Sequence, residues 1–274
     1  MIDFLGIGAQ KSGTTWLIKN IKEHPAVWTP HRIKELHYFD VLYLGYGRES
    51  QLNRIRRKME AVINSAAWGN AISDKDYDYF SKIYDPDLVF TDEWYAHIFS
   101  RANGKVKGEF TPAYCAIGDR GIAHVRKMMP DVKLIYMVRD PYDRAMSSLR
   151  MLLERERFKK PDMQQMVEKP LFIKKGDYAQ NIPAWEKAFD SAQILYIPFA
   201  RVKSDPAGVM CDVEAFLGLD RYDRYPAINK KVNATGKKKI EIPEKISRKI
   251  RQMTASQYPY LIERFGEEFV SLIR

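Results

Sequence analysis

The sequence predicts an α/β fold: one three-layer domain in which a central, mostly parallel sheet is flanked by helices. Three stretches predict it. Phe4-Leu5-Gly6-Ile7 is a short apolar run that meets a glycine-bounded turn and then helical spacing over residues 16–21. Lys133–Val138 is a continuous run of β-branched and large apolar residues, the pattern of a strand covered on both faces, with Pro141 where a following helix begins. Residues 194–199 repeat the buried-strand pattern, and Asp205-Pro206 then opens a helical stretch that stops at Gly218. The chain has 274 residues, 45% of them apolar, enough to bury one such core, so residues 1–274 are expected to form a single domain.

The first turn, Gly8-Ala9-Gln10-Lys11-Ser12-Gly13-Thr14-Thr15, has the makings of an anion site. Glycines allow close backbone approach, and a helix N-terminus offers outward N–H groups and a favourable dipole. Gly8 and Gly13 have the spacing of a Walker A loop, but Thr14 fills the lysine slot and the lysine lies inside the loop as Lys11. A standard ATP or GTP site is therefore disfavoured. Taken alone, the stretch also fits a glycine turn leading into any helix. Its order, G-x-x-[KR]-[ST]-G-[TS]-[TS], resembles the 5′-phosphosulfate loop of sulfotransferases that use 3′-phosphoadenosine 5′-phosphosulfate (PAPS). That resemblance implies a P-loop-like domain in which Gln10, Lys11, Ser12, Gly13, Thr14, Thr15 and Trp16 hold the cofactor.

His24-Pro25 ends the first helix. Next comes Lys34-Glu35-Leu36-His37-Tyr38-Phe39-Asp40, ionisable groups beside an aromatic pair. By composition it is equally a catalytic cluster or a solvated turn with aromatic anchors. The pattern K-E-x-H-[FY]-F-D resembles the motif of heparan sulfate-type sulfotransferases, which implies Glu35 as general base, with His37 in reserve or acting through packing and hydrogen bonds. Residues 41–104 are aromatic-rich. Arg54, Arg56, Arg57 and Lys58 read as a solvated helix face, while Trp94, Tyr95, Phe99 and their neighbours suit core packing or the wall of an acceptor cleft.

Residues 106–114 read as a short strand broken by Pro112, and helical spacing follows through Ile122, Val125, Met128 and Met129. The family's E-x-T-P-x-Y element fits here and implies Glu109 and Thr111 on the acceptor side; Glu109 equally suits a structural carboxylate paired with Lys11 or Arg139. The family's 3′-phosphate signature, R-x-P-x-x-R-x-x-S, matches Arg139, Pro141, Arg144 and Ser147. Arg139 and Ser147 can converge only through a strand-to-helix turn, at the strand end where ligands of open α/β sheets bind. Arg144 is expected to pair with Asp140 or Asp143. Gly176-Asp177-Tyr178 precedes a helix carrying Trp185 and Phe189. Residues 229–239 read as a basic surface loop; the resemblance implies that Thr235, Gly236, Lys237 and Lys238 close over the nucleotide phosphates. The regions 41–104 and 150–175 fall outside the resemblance and are expected to be acceptor-side insertions.

A net charge of +10 suits an anionic cofactor or acceptor, and no basic stretch is interleaved with stacking aromatics as nucleic-acid binding would favour. Cys115 and Cys211 form no metal spacing and are expected to be unpaired. No apolar run approaches the roughly 18 residues of a membrane span, and the chain enters its first strand directly, so a cytoplasmic protein without a signal peptide is expected. The resemblance implies metal-independent sulfuryl transfer from PAPS, leaving adenosine 3′,5′-bisphosphate, to a hydroxyl or amine of a saccharide or small molecule. The alternatives are a P-loop-type small-molecule kinase and a non-enzymatic nucleotide or polyanion binder; a loop lysine together with a candidate base argues against the binder.

Overall fold

The computed structural model describes residues 1–30, 35–45, 47–67, 74–155, 162–230 and 240–274. The first half runs β1 (Phe4–Gly8), α1 (Thr14–Ile21), β2 (Val27–Trp28), α2 (Tyr38–Leu44), α3 (Arg48–Ala67), α4 (Asp74–Tyr84), α5 (Asp92–Ile98), β3 (Val106–Phe110), α6 (Gly118–Met128) and β4 (Lys133–Val138). The second half adds α7 (Pro141–Arg155), α8 (Met163–Glu168), α9 (Pro170–Lys174), α10 (Tyr178–Glu186), β5 (Ile194–Pro198), α11 (Arg201–Ser204), α12 (Pro206–Leu217), α13 (Glu244–Thr254) and α14 (Gln257–Ser271).

The five strands form one parallel sheet in the order β2-β3-β1-β4-β5. Side chains of β4 alternate strictly between its two faces. Leu134, Tyr136 and Val138 join the core under α2, α5, α6 and α10, while Ile135 and Met137 join the core under α1 and α12. A third cluster packs α7 against α8, α9 and α13. The three-layer α/β architecture expected from the sequence is thus present, and its strand ends all open toward one edge.

Local chemistry explains the element ends. Asp205 caps α12 by accepting the Gly208 N–H at 3.0 Å, Pro206 occupies its first turn, and Gly218 ends it in the left-handed region. Within 41–104, Trp94, Tyr95 and Phe99 are all buried in the main core, while Tyr77 is exposed. Phe189 lies beyond the end of α10 and stacks on Trp185 at 5.8 Å instead of sharing its helix. The two-residue β2 and the C-terminal helices α13 and α14, the latter kinked at Gly266, lie beyond the predicted elements. Cys115 and Cys211 are free thiols. Among the described residues no helix is long and apolar enough to cross a membrane.

β1 and β3 approach so closely that a Cβ on Gly108 would lie 2.3 Å from the Phe4 carbonyl oxygen. A backbone atom in a central strand cannot move aside. Gly108→Ala is expected to cost ~3 kcal/mol, read as a lowered denaturant midpoint; a loss within experimental error would show that the two strands are not held this tightly.

Candidate active site

The loop after β1 is anchored to its neighbour by the Ala9 N–H, which donates to the Met137 carbonyl at 2.8 Å. Lys11 (φ 73°) and Gly13 (φ 89°) both adopt left-handed backbone. For a residue with a Cβ that conformation costs about 1–2 kcal/mol, and such turns curl successive N–H groups into an anion-binding hollow. A Cβ on Gly13 would also press on the Phe199 ring, 3.1 Å away. Gln10, Lys11 and Thr15 are half-buried, and Thr14 is buried at the start of α1. The Ser12 hydroxyl is buried within reach of the Tyr178 hydroxyl. Trp16, expected at the cofactor, has its indole in the core under α1, where Nε1 donates to the Ile228 carbonyl at 3.0 Å. Its large apolar ring faces the sheet from the buried side of the helix.

Arg139 follows β4 directly. Its Nη1 donates to the Lys11 carbonyl at 2.8 Å, and its guanidinium lies over the Phe199 ring, 4.6 Å from the centroid. The Tyr178 hydroxyl donates to the Arg139 carbonyl at 2.9 Å and accepts its N–H at 3.2 Å. Arg139 Nε has no partner among the described residues. Ser147 is half-buried on the second turn of α7. Arg144 departs from expectation: among the described residues it pairs with neither Asp140 nor Asp143. Asp140 is committed elsewhere, accepting the Asp143 N–H at 2.9 Å, the Tyr258 hydroxyl at 2.9 Å and Arg274 Nε at 3.1 Å. Arg144 is buried, and its guanidinium lies so close to Gly176 that a Cβ there would come within 2.1 Å.

Across the strand ends stands a carboxylate–imidazole–carboxylate array. His37 Nδ1 lies 2.7 Å from Asp40 Oδ2, and Nε2 lies 3.2 Å from Glu35 Oε2. Burial disfavours the imidazolium, but the hydrogen bonds to Asp40 and Glu35 and their negative charges outweigh it and push His37 up to about 9. At neutral pH both ring nitrogens donate, so His37 has no free lone pair with which to take a proton. Glu35 is the more open carboxylate, its side chain 25% exposed against 2% for Asp40. Arg54, expected on a solvated face, turns inward and donates to the Glu35 carbonyl at 2.6 Å. Glu109 and Thr111, expected on the acceptor side or, for Glu109, as a structural carboxylate, are buried next to this array. There Thr111 Oγ1 accepts the Leu36 N–H at 3.1 Å, and Glu109 bonds to Tyr95, Thr111 and Tyr114 rather than Lys11 or Arg139.

Asp40 and Arg54 carry little individual sequence signal. Asp40 is visible only as the i+3 partner of His37, and Arg54 sits in a run of like charges with nothing to mark its inward turn. Thr235, Gly236, Lys237 and Lys238 lie outside the described residues, as does Lys34.

Comparison with known proteins identifies the family. The family model described as "Sulfotransferase family" matches residues 4–224. The chain belongs to that family. Heparan sulfate glucosamine 3-O-sulfotransferase 3B1 of Homo sapiens is 32% identical over 158 residues, 52% of this chain and 38% of that protein. Bifunctional heparan sulfate N-deacetylase/N-sulfotransferase 4 of Mus musculus is 24% identical over 242 residues, 81% of this chain and 23% of its own length. The chain thus spans well under half the length of these curated relatives. Among solved structures, a sulfotransferase from Alicyclobacillus acidocaldarius shares the fold with a TM-score of 0.68 at 20% identity, covering 100% of this chain and 99% of that one. The sulfotransferase domain of the curacin biosynthetic pathway gives 0.58 at 14%, covering 93% and 98%.

The raised His37 value has a stability consequence with a definite sign. A histidine shifted from 6.5 to about 9 on folding contributes on the order of 3 kcal/mol. That contribution is fully present below pH 6.5 and lost as pH rises through about 9. Denaturant melts of the wild type and His37→Gln are therefore expected to differ most at pH 6 and to converge above pH 9. A pH-independent difference would show that the imidazole is not held charged.

Proposed function

We propose that the chain transfers the sulfuryl group of PAPS to a hydroxyl or amine of a saccharide or small-molecule acceptor, without a metal, using Glu35 as general base. The observation that carries this reading is the Arg139–Lys11 hydrogen bond, which joins two phosphate-type motifs 128 residues apart at one sheet edge. The residues there suit a doubly anionic nucleotide: Arg139 Nε lacks a protein partner among the described residues, and the buried Ser12 hydroxyl lies in the loop that Arg139 bonds. Lys11, the backbone N–H groups of residues 12–15 and the start of α1 would hold the 5′-phosphosulfate end. Arg139 and Ser147 would hold the 3′-phosphate, with Thr235, Gly236, Lys237 and Lys238 closing over it.

When bound, the cofactor supplies an activated sulfuryl group on a phosphate leaving group. Glu35 takes the acceptor's proton as the new oxygen–sulfur or nitrogen–sulfur bond forms. Lys11 would offset the negative charge of the cofactor's leaving phosphate. His37, donating to Glu35, aims the carboxylate, and Asp40 holds the imidazole in turn. Cations gathered at the nucleotide and a carboxylate facing the acceptor are what in-line displacement at sulfur requires. The names of the curated relatives favour a saccharide acceptor, and the net charge of +10 suits an anionic one.

Calorimetry tests the nucleotide. Adenosine 3′,5′-bisphosphate is expected to bind far more tightly than ADP or ATP, with or without magnesium. A charge-assisted contact contributes about 1.5–3 kcal/mol, so Arg139→Ala should lose ten- to hundredfold and most of the 3′-phosphate preference. Tighter, magnesium-dependent ATP binding would point to a kinase.

The base is tested with radiolabelled sulfate transfer from PAPS across a panel of sugars, amines and small hydroxylated compounds. Glu35→Gln should leave adenosine 3′,5′-bisphosphate affinity near wild type while turnover falls about 10²–10⁴-fold. His37→Ala should cost less. The reverse order would make the histidine the base.

A further inference from the structure

Beneath Glu35 lies a buried carboxylate that no step above uses. Glu109, 2% exposed near the end of β3, collects four donors. Oε1 accepts the Tyr114 hydroxyl at 2.8 Å and the Tyr95 hydroxyl at 3.2 Å. Oε2 accepts the Thr111 hydroxyl at 2.6 Å and the Leu36 N–H at 3.5 Å.

The next layer of hydrogen bonds gives this cluster its meaning. Thr111 Oγ1 accepts the Leu36 N–H at 3.1 Å and the His37 N–H at 3.5 Å, and the Tyr114 hydroxyl oxygen accepts the Tyr38 N–H at 3.0 Å. Three consecutive amides therefore end on hydroxyls whose own protons point at Glu109. A hydroxyl has one proton to give, so its oxygen faces an N–H group only if that proton is taken elsewhere. Once ionised, above its raised value of about 7, Glu109 is acceptor-only and forces that polarity on Thr111 and Tyr114 together. The clamped segment includes His37 in the left-handed region (φ 57°, ψ 31°), which a residue with a side chain adopts only when its surroundings insist. That backbone sets the ring between Glu35 and Asp40.

We propose that Glu109 is a positioning residue: through Thr111 and Tyr114 it fixes the backbone of residues 36–38 and thereby aims the His37–Glu35 pair at the acceptor. The proposal rests on the reading of Glu35 as base. Arg54 is the cation whose charge faces both Glu35 and Glu109. Burial pushes the Glu109 carboxyl up to about 7 even against its four hydrogen bonds. An acid raised in this way weakens folding once ionised, which is what a group kept for the direction of its hydrogen bonds, and not for stability, would show.

Glutamine at 109 keeps the shape, but its amide nitrogen donates where a carboxylate oxygen accepted, so Thr111 or Tyr114 must turn its proton toward the backbone. The readout is the NMR titration of the His37 ring, assigned by the signal lost in His37→Gln, alongside calorimetry with adenosine 3′,5′-bisphosphate. In the wild type the ring should titrate near the value of about 9 set by its two carboxylates. In Glu109→Gln it should fall by a unit or more while nucleotide affinity stays unchanged. Tyr95→Phe, which removes a donor to Glu109 but touches none of the three amides, should leave the titration as in the wild type. A folded Glu109→Gln protein with wild-type His37 titration overturns the proposal. Should that variant not fold, Tyr114→Phe decides, since it removes only the Tyr38 acceptor: a lowered His37 value supports the clamp and an unchanged one overturns it. Failure of the wild type to bind adenosine 3′,5′-bisphosphate would remove the PAPS reading, yet the titrations would still decide what Glu109 does.

Discussion

The central position of β1, paired in parallel with β3 on one side and β4 on the other, is the constraint from which the site follows. Parallel neighbours end at the same edge, so whatever follows each strand must share that edge. The loop with Lys11 leaves β1, Arg139 leaves β4, and Thr111 leaves β3. The pairing depends on small residues where side chains would collide: a Cβ on Gly6 would lie 1.9 Å from the Phe110 ring. Close strand packing is therefore a condition for the two phosphate-type motifs to meet, as the Arg139–Lys11 hydrogen bond requires.

Charge is sorted across that edge. Lys11 and Arg139 form one group, joined by a hydrogen bond. Glu35, Asp40 and Glu109 form another, tempered by His37 and Arg54. Burying three carboxylates close together would raise all of them if nothing offset it. The structure spends one imidazolium and a layer of hydroxyls and amides to keep them apart in role. Asp40 holds the histidine, Glu109 holds the backbone, and Glu35 is left partly open. A carboxylate that is open and aimed is what a general base needs.

The sequence made the strand-end motifs legible because each is local. A glycine turn before a helix, or an arginine between an apolar strand and a proline, has a physical meaning within ten residues. What stayed hidden is relational. Trp16 belongs to a helix that starts at the loop, but the face it occupies is decided by the sheet behind it. Arg54 reads as one of four exposed cations until α3 packs and brings it onto the Glu35 carbonyl. Glu109 and Thr111 lie in a motif whose position along the chain suggests the acceptor, while the β1–β3 register sets them underneath. No periodicity in residues 240–274 announces that α14 delivers Tyr258 to Asp140, beside Arg139.

The same relational logic gives the aromatic-rich helices a second role. Tyr38, which follows His37, donates its hydroxyl to Asp92 at the start of α5, and Asp92 also lies 2.9 Å from His124 Nε2 on α6. Tyr95 of α5 reaches Glu109, and Arg54 of α3 reaches Glu35. The segment carrying the candidate base is therefore held from below by the sheet and from the side by three helices. A residue fixed by several independent contacts loses little further entropy when it acts, which is the basis of preorganisation. The arrangement also couples the base to the packing of α3 and α5. A substitution that shifts either helix shifts the hydrogen bonds to Glu35 and Glu109 with it, so the aromatic core here sustains chemistry as well as stability.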